Sequence, residues 1–435
     1  MASEPRRVLV VGGGAAGVVT AAALLREAGA APLAVTVVER APVVGPGLAY
    51  GTRDPHHLLN NYASRMSAVD DDPQHLVRWC LAQGMAVGAD TFVSREAYGR
   101  YLADLLDSEP VPAGSSLERV QDEVVDLADL GSTYLATLAS GAVLAADLVV
   151  LALGNPPPRR PRGLAVEDAR FAPDPWDPAL LERVGPEDRV LLVGTGLTTV
   201  DVAAQIAAAR PGVRLTATSR RGLLPLHHLP EMPQEAPAFD GDVRSLRAAL
   251  REVRRCTADG AEWRCLVESL KAIANDVWHS LSFEDKEQFT RHVGRHWEIA
   301  RHRMAPPMAA IIDDLLATGR LTVVPTSQVD VATYDLVVNC TGPAPVSTPG
   351  WNPLVDNLAV NGMLWPGPFG LGVDVDGDGA LLDADGIAAR GMYAVGAARR
   401  GVDWEVAAVP DIRRQAVHLA RHLGTQAPQP VELVG

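Results

Sequence analysis

The sequence predicts an α/β protein with two Rossmann-like dinucleotide-binding domains, the first discontinuous along the chain and the second carrying a helical insertion. Three observations lead there. A glycine-rich turn follows a short apolar run at two places about 180 residues apart. Each turn opens an alanine-rich helical stretch that leads to another apolar run, the order of a βαβ unit. The chain has 435 residues, enough for two or three domains, and its 47% apolar and 21% charged content is that of a globular protein.

The elements follow in order. Arg7-Val8-Leu9-Val10-Val11 reads as a buried parallel strand. The glycines after it lead into a helix over residues 15–28, and a second strand spans 34–38. Residues 140–153 read as a hairpin strand and then a buried run from Leu148 to Leu153. Gly154-Asn155-Pro156-Pro157-Pro158 stops that run and suits a domain crossing. The second unit opens at Arg189-Val190-Leu191-Leu192-Val193, passes Gly194-Thr195-Gly196 into a helix over 198–210, and reaches a strand over 214–218. Residues 243–318 are polar, charged and helical in period, which marks the insertion. Leu336-Val337-Val338-Asn339 closes the unit, Gly391 to Gly396 supplies a late strand, and a last helix starts near Pro410, a residue suited to a first turn. The expected boundaries are 1–157 for the first part of the first domain and 158–345 for the second domain, with the insertion at about 235–318. Residues 346–435 return to the first domain and end in the C-terminal helix.

Composition removes several function classes. Basic residues number 39 and acidic ones 53, a net charge of −14 that works against nucleic acid and anionic membrane as partners. Only Lys271 and Lys286 are lysines, both in a polar helical stretch, so neither a Walker P-loop nor a lysine Schiff-base motif is present. Cys80, Cys256, Cys265 and Cys340 form neither a CxxC pair nor a zinc spacing, which suits a reduced, cytoplasmic compartment and excludes a dithiol reductase. The apolar residues 8–25 follow Arg6 and Arg7 as a signal segment would, but four glycines interrupt them. Asp374-x-Asp376-x-Asp378-Gly379 copies part of a calcium loop without flanking helices and reads as an acidic hairpin turn. His56-His57 and His227-His228 lack a third ligand, so no metal is expected.

Two motifs carry the chemistry. Gly12-Gly13-Gly14-Ala15-Ala16-Gly17 supplies G-x-G-x-x-G between a strand and a helix, where backbone N–H groups and the helix dipole face a pyrophosphate. Glu39 lies 22 residues after Gly17, where a carboxylate accepts ribose hydroxyls; an acid there suits FAD or NAD and repels a 2′-phosphate. The second unit carries Gly194-x-Gly196-x-x-Thr199, and its second strand ends in Ser219-Arg220-Arg221. Guanidinium groups at that point fork onto a 2′-phosphate, so NADPH is the natural reading. A repeat that no longer binds nucleotide is the alternative, because Thr199 stands where glycine or alanine is usual.

The order of these motifs resembles the FAD/NAD(P)-binding oxidoreductases, flavoproteins with two dinucleotide-binding domains. The resemblance also rests on Pro46-Gly47-Leu48-Ala49-Tyr50-Gly51-Thr52, His57-Leu58-Leu59-Asn60-Asn61 and Phe92-Val93-Ser94-Arg95. Later segments extend it: Arg301-His302-Arg303-x-x-Pro306 and Arg400-Gly401-x-x-Trp404-Glu405-x-x-Ala408-Val409-Pro410. More distantly the layout is similar to flavin-dependent monooxygenases, including the amine N-hydroxylases.

The resemblance implies FAD in the first unit, on Gly12, Gly14, Ala16, Gly17, Glu39 and Arg40. Gly47, Leu48, Tyr50, Asn60, Asn61 and Met66 would run along the flavin, with Val124 and Gly154 as further cofactor contacts. Gly396 and the helix start at Val409, Pro410 and Asp411 would cap the ring, its dipole facing the edge that becomes anionic on reduction. Ala397 replaces the aspartate expected after Gly396, which removes a ribityl contact. NADPH would lie on Gly194, Gly196, Thr199, Arg220 and Arg221. Arg53, His57, Arg95, Trp404 and Glu405 are the candidate catalytic residues, being nearest in sequence to these contacts. Arg295-His296-Trp297 and Arg301-His302-Arg303 form a basic helical cluster for an anionic ligand, or else a solvated face. The implied reaction is NADPH-driven oxygenation of a small molecule by dioxygen through a flavin hydroperoxide, with N-hydroxylation of an amine or amino acid as one form. An oxidase or reductase with a vestigial second domain, or a flavin-bearing sensor, are the rival readings. A homo-oligomer is left open.

Overall fold

The structure, a computed structural model, describes residues 4–27, 31–161, 166–233, 239 and 243–425. Valine-rich β1 (Arg6–Val11) and β2 (Leu33–Glu39) run parallel with Val8 opposite Val35, joined by the helix Ala15–Glu27. This helix is apolar nearly all round because it is buried from Ala16 to Leu25. The helix Arg95–Ser108 leads to β3 (Ser116–Gln121), which adds to β2. Three short antiparallel strands, β4 (Val124–Asp129), β5 (Tyr134–Leu138) and β6 (Val143–Ala146), form a separate meander before β7 (Leu148–Leu151) returns beside β1.

Past the proline cluster the chain enters a second sheet. It contains β8 (Phe171–Ala172), β9 (Arg189–Val193), β10 (Arg214–Ser219), β11 (Leu321–Pro325) and β12 (Leu336–Asn339), all parallel in the order β11-β10-β9-β12-β8. β13 (Ala380–Leu382) and β14 (Ala388–Ala394) then rejoin the first sheet, giving it the order β13-β14-β7-β1-β2-β3. The helix Val409–Thr425 packs along Ala15–Glu27, with Arg421 bonded to Glu27 at 3.2 Å. The chain is therefore α/β with two Rossmann-like sheets, the first drawn from both ends of the chain.

The insertion is shorter than its sequence suggests. Pro306–Ala317 buries Met308, Ala309, Ile312 and Leu315 in the core of the second sheet, as the crossover between β10 and β11. What stands outside the sheet is the helices Leu246–Ala258, Trp263–Ser280, Phe283–Gln288 and Gly294–Arg301, the last two joined by a π-turn over Phe289–Val293. Residues 234–238 and 240–242, at its start, lie outside the described residues. The acidic segment is the hairpin turn expected: Asp376 accepts from the N–H groups of Asp378 and Ala380. Among the described residues no group of side chains could hold a metal ion, and no helix is long and apolar enough to cross a membrane.

Candidate functional site

The first glycine loop is built for close backbone approach. Gly12 has φ 100°, and a Cβ there would lie 2.5 Å from the Ala152 carbonyl oxygen; one on Gly17 would lie 1.9 Å from the Gly12 carbonyl oxygen. Gly47 rests on the loop, since a Cβ on it would sit 3.0 Å from Gly14 Cα. Glu39 Oε2 accepts from the Gly13 N–H at 2.7 Å and Oε1 from the Ala41 N–H at 2.8 Å. The carboxylate is thereby fixed at the loop with lone pairs left for ribose hydroxyls. From the far end of the chain, Gly396 packs on Ala16 and donates its N–H to Gln415 Oε1 at 2.7 Å.

Along the loop that follows, Tyr50 packs against Tyr98 with ring centroids 4.7 Å apart and the rings tilted by 60°, and Tyr98 donates to the Met66 carbonyl. Leu48 is an exposed apolar side chain. Asn61 Oδ1 accepts from the Tyr62 N–H, so one of the two expected amides serves its own turn, while the Asn60 carbonyl accepts from His228 Nε2 if that nitrogen carries the proton. Val124 is buried in the core between the meander and the first sheet, which leaves only its backbone for a cofactor. Arg40 is exposed at 3.8 Å from Glu123, and Arg53 is exposed with no ion pair among the described residues. Gly154, at φ 69°, has open space around it.

The second loop repeats the device. Gly194 has φ 130° and meets the Cys340 carbonyl so closely that a Cβ would clash, while Gly196 opens onto free space at the head of Leu197–Ala209. Thr199 is buried beside the Cys340 thiol, whose pKa burial pushes up to about 12, and the helix runs on undistorted, so threonine does not block the fold. Arg220 and Arg221 are exposed at the end of β10, with no ion pair among the described residues. Arg295 reaches down from the insertion and donates to the Thr195 carbonyl at 3.1 Å, to Thr195 Oγ1 at 3.0 Å and to the Leu223 carbonyl at 2.5 Å. The two basic triplets do not converge on one point and are not a solvated face: Arg295 bonds this loop, Arg301 bonds Glu405, and Arg303 meets Glu268 through Nη2 alone.

Between the loops lies a buried junction. Arg95 donates through Nε to the Leu58 carbonyl at 3.1 Å, and its Nη2 sits 2.7 Å from Asp201 Oδ2 on the helix that follows the second loop. His57 packs edge-on against Trp176 and holds Thr52 Oγ1 at 2.7 Å through Nδ1. Burial lowers the His57 pKa and raises that of Asp201, which Arg95 and His57 oppose. On the other side, Glu405 accepts from Trp297 Nε1 at 2.8 Å and from Arg301 Nε at 3.0 Å. Arg301 also faces Asp411 Oδ2 at 3.6 Å. Asn275 Oδ1 accepts the N–H groups of Trp404 and Glu405, and Arg400 lies over the Trp404 ring at 4.0 Å. Glu405 is held as an acceptor, with both oxygens engaged. Asp201, Trp176 and Asn275 are the neighbours that sequence reading missed, while Arg301, read there as part of a basic cluster, instead pairs with Glu405. Asp201 alone left a signal, a carboxylate between Val200 and Val202 in an apolar helix.

Residues 9–156 match a family described as FAD-NAD(P)-binding. The chain carries an FAD-NAD(P)-binding domain. Its glycine cradle and fixed Glu39 fit that cofactor class. Over 176 residues the sequence is 35% identical to the L-aspartate N-monooxygenase (nitrosuccinate-forming) of Streptomyces cremeus, 34% of this chain and about a quarter, 26%, of that protein. The whole fold is similar to the ornithine N-hydroxylase of Kutzneria sp. 744, solved with reduced FAD, NADP+ and L-ornithine, with a TM-score of 0.64 at 15% identity over 96% of this chain and 99% of that one. The L-lysine 6-monooxygenase of Pseudomonas syringae gives a TM-score of 0.62 at 15% identity, again over 96% and 99%. The FAD-NAD(P)-binding domain is therefore set in a two-sheet fold shared along nearly the whole chain.

Proposed function

We propose that this chain is an FAD-dependent, NADPH-using monooxygenase that N-hydroxylates a small amine or amino acid. The observation that carries the reading is the pair of glycine loops, each between parallel strands of its own sheet, with exposed Arg220 and Arg221 after β10 of the second and the two halves joined through Arg95 and Asp201. The names of the relatives support it, as do four cysteines that are all free. FAD, when bound, supplies two-electron reduction by NADPH and reaction with dioxygen. The overall balance is amine, O₂, NADPH and a proton giving hydroxylamine, NADP⁺ and water.

The chain's own residues do the rest. Gly12, Gly14, Ala16 and Gly17 bring backbone N–H groups and the helix dipole to the pyrophosphate, and Glu39 takes the ribose. Residues 47–66 and the helix start at Val409, Pro410 and Asp411 flank the ring. Arg220 and Arg221 fork onto the 2′-phosphate. Arg95, at the head of its helix, holds the His57–Leu58 loop through the carbonyls of both residues, with His57 uncharged near neutral pH because burial lowers its pKa. Trp404 and Glu405 close the site against water, held by the insertion. The protein works in the cytoplasm, where its thiols stay reduced. The visible spectrum tests the reading: a yellow protein bleached anaerobically by NADPH faster than by NADH supports it, and one that neither nucleotide reduces contradicts it.

A further inference from the structure

Beside the Asn60 loop lies a buried cationic group that the residues around it do not complete. Arg303 is 1% exposed, yet among the described residues only Nη2 of its guanidinium nitrogens has a partner, Glu268, while Nε and Nη1 have none. A guanidinium carries five N–H donors and does not deprotonate, so donors buried without acceptors mark a missing partner. Its neighbour is incomplete as well. The chain pairs His227 with Met304, and His228, 2% exposed, has Nε2 on the Asn60 carbonyl and Nδ1 unpartnered. The ring of Tyr62, 5.0 Å from that of His228, closes one side.

Charge sets the kind of partner. Glu268 serves two cations, Arg303 and Lys271, the latter at 2.8 Å. One carboxylate between two cations leaves this buried group one positive charge in excess, which a monoanion would neutralise. Arg301 does not share the excess, since Glu405 and Asp411 face it. The lowering of Lys271 to about 8, by burial first and then by Arg301, agrees with a cluster already too positive. By position the group lies between His228, which bonds the Asn60 carbonyl, and Arg301, which faces Glu405 and Asp411; Asn60 and Asp411 belong to the two segments assigned to the flanks of the flavin.

We propose that Arg303 binds a carboxylate, and that the substrate is an amino acid whose carboxylate completes the unpartnered N–H groups of that side chain. The amine half of this statement rests on the monooxygenase reading; the carboxylate half does not. The probe is therefore succinate, which has no nitrogen to oxidise, titrated calorimetrically into the FAD-loaded protein beside propylamine. Wild type is expected to bind succinate and not propylamine. Arg303→Gln should weaken succinate about 30-fold, the loss of a charge-assisted contact. Arg303→Lys should recover part of it, and Glu268→Gln should tighten it by enlarging the positive excess.

Opposite signs for Arg303→Gln and Glu268→Gln are what a merely structural pair would not give. Equal succinate affinity in wild type and Arg303→Gln, or weakening in Glu268→Gln, overturns the proposal. Should Arg303→Gln fail to fold, the Lys and Glu268→Gln arms decide it. If succinate binds through Arg303 while no amine supports NADPH oxidation, the monooxygenase reading alone has failed.

Discussion

Arg95 Nη2 lies 2.7 Å from Asp201 Oδ2, and the two side chains come from helices that belong to different sheets' βαβ layers. Arg95 begins the helix Arg95–Ser108 and donates its backbone N–H to the His57 carbonyl at 2.8 Å, whereas Asp201 sits in the second turn of the helix behind the second glycine loop. One buried ion pair therefore fixes the loop flanking the first nucleotide site against the helix that heads the second.

Breaking that pair should separate stability from function. Asp201→Asn leaves the Arg95 charge uncompensated and should cost about 3 kcal/mol in urea unfolding. It should also slow anaerobic flavin reduction by NADPH about tenfold, by loosening the orientation of the two sites. Arg95→Met with Asp201→Leu should restore much of the stability but not the reduction rate. Stopped-flow reduction beside the unfolding curves checks both.

Arg220→Ala with Arg221→Ala should raise the KM for NADPH about 100-fold, the scale of two lost charge-assisted hydrogen bonds. The KM for NADH should stay nearly unchanged. Steady-state kinetics with the two nucleotides gives the ratio.

Glycine substitutions should divide by geometry. Gly17→Ala places a Cβ 1.9 Å from the Gly12 carbonyl oxygen and should abolish bound FAD in the purified protein. Gly196→Ala, with φ −93° and nothing within 4 Å of the new methyl, should fold and keep FAD, yet bind NADPH weakly because the methyl fills the pyrophosphate approach. Absorbance and NADPH titration distinguish the two.

The Glu268 cluster should show in the pH dependence of stability. Burial works upward on Glu268, but Lys271 and Arg303 together hold it at about 2, below its usual 4.5. Its contribution is complete above pH 4.5 and is lost as pH falls towards 2, so Glu268→Gln should flatten that acid limb. Lys271, lowered from 10.5 to about 8, binds its proton less well folded than unfolded. Stability should rise across that window, and Lys271→Met should remove the rise.

The glycine loops, Glu39 and the C-terminal return were legible because each is a local pattern: a strand, a turn, an acid at a fixed spacing. The insertion boundary was not. Pro306–Ala317 differs from the helices before it only in being apolar enough to cover a sheet, and an overall helical period hides that change. The partners of Arg95, Arg301 and Arg303 were hidden for another reason. Periodicity tells which side of a helix is buried, while the carboxylate that meets a buried guanidinium is chosen by how distant elements cross.

Oxygen uptake tests the central claim most directly. With purified protein, NADPH and a panel of amines and amino acids, at least one compound should give NADPH-dependent oxygen consumption with a hydroxylamine formed for each NADPH oxidised. Oxygen uptake yielding only hydrogen peroxide for every compound, or none at all, would contradict the account.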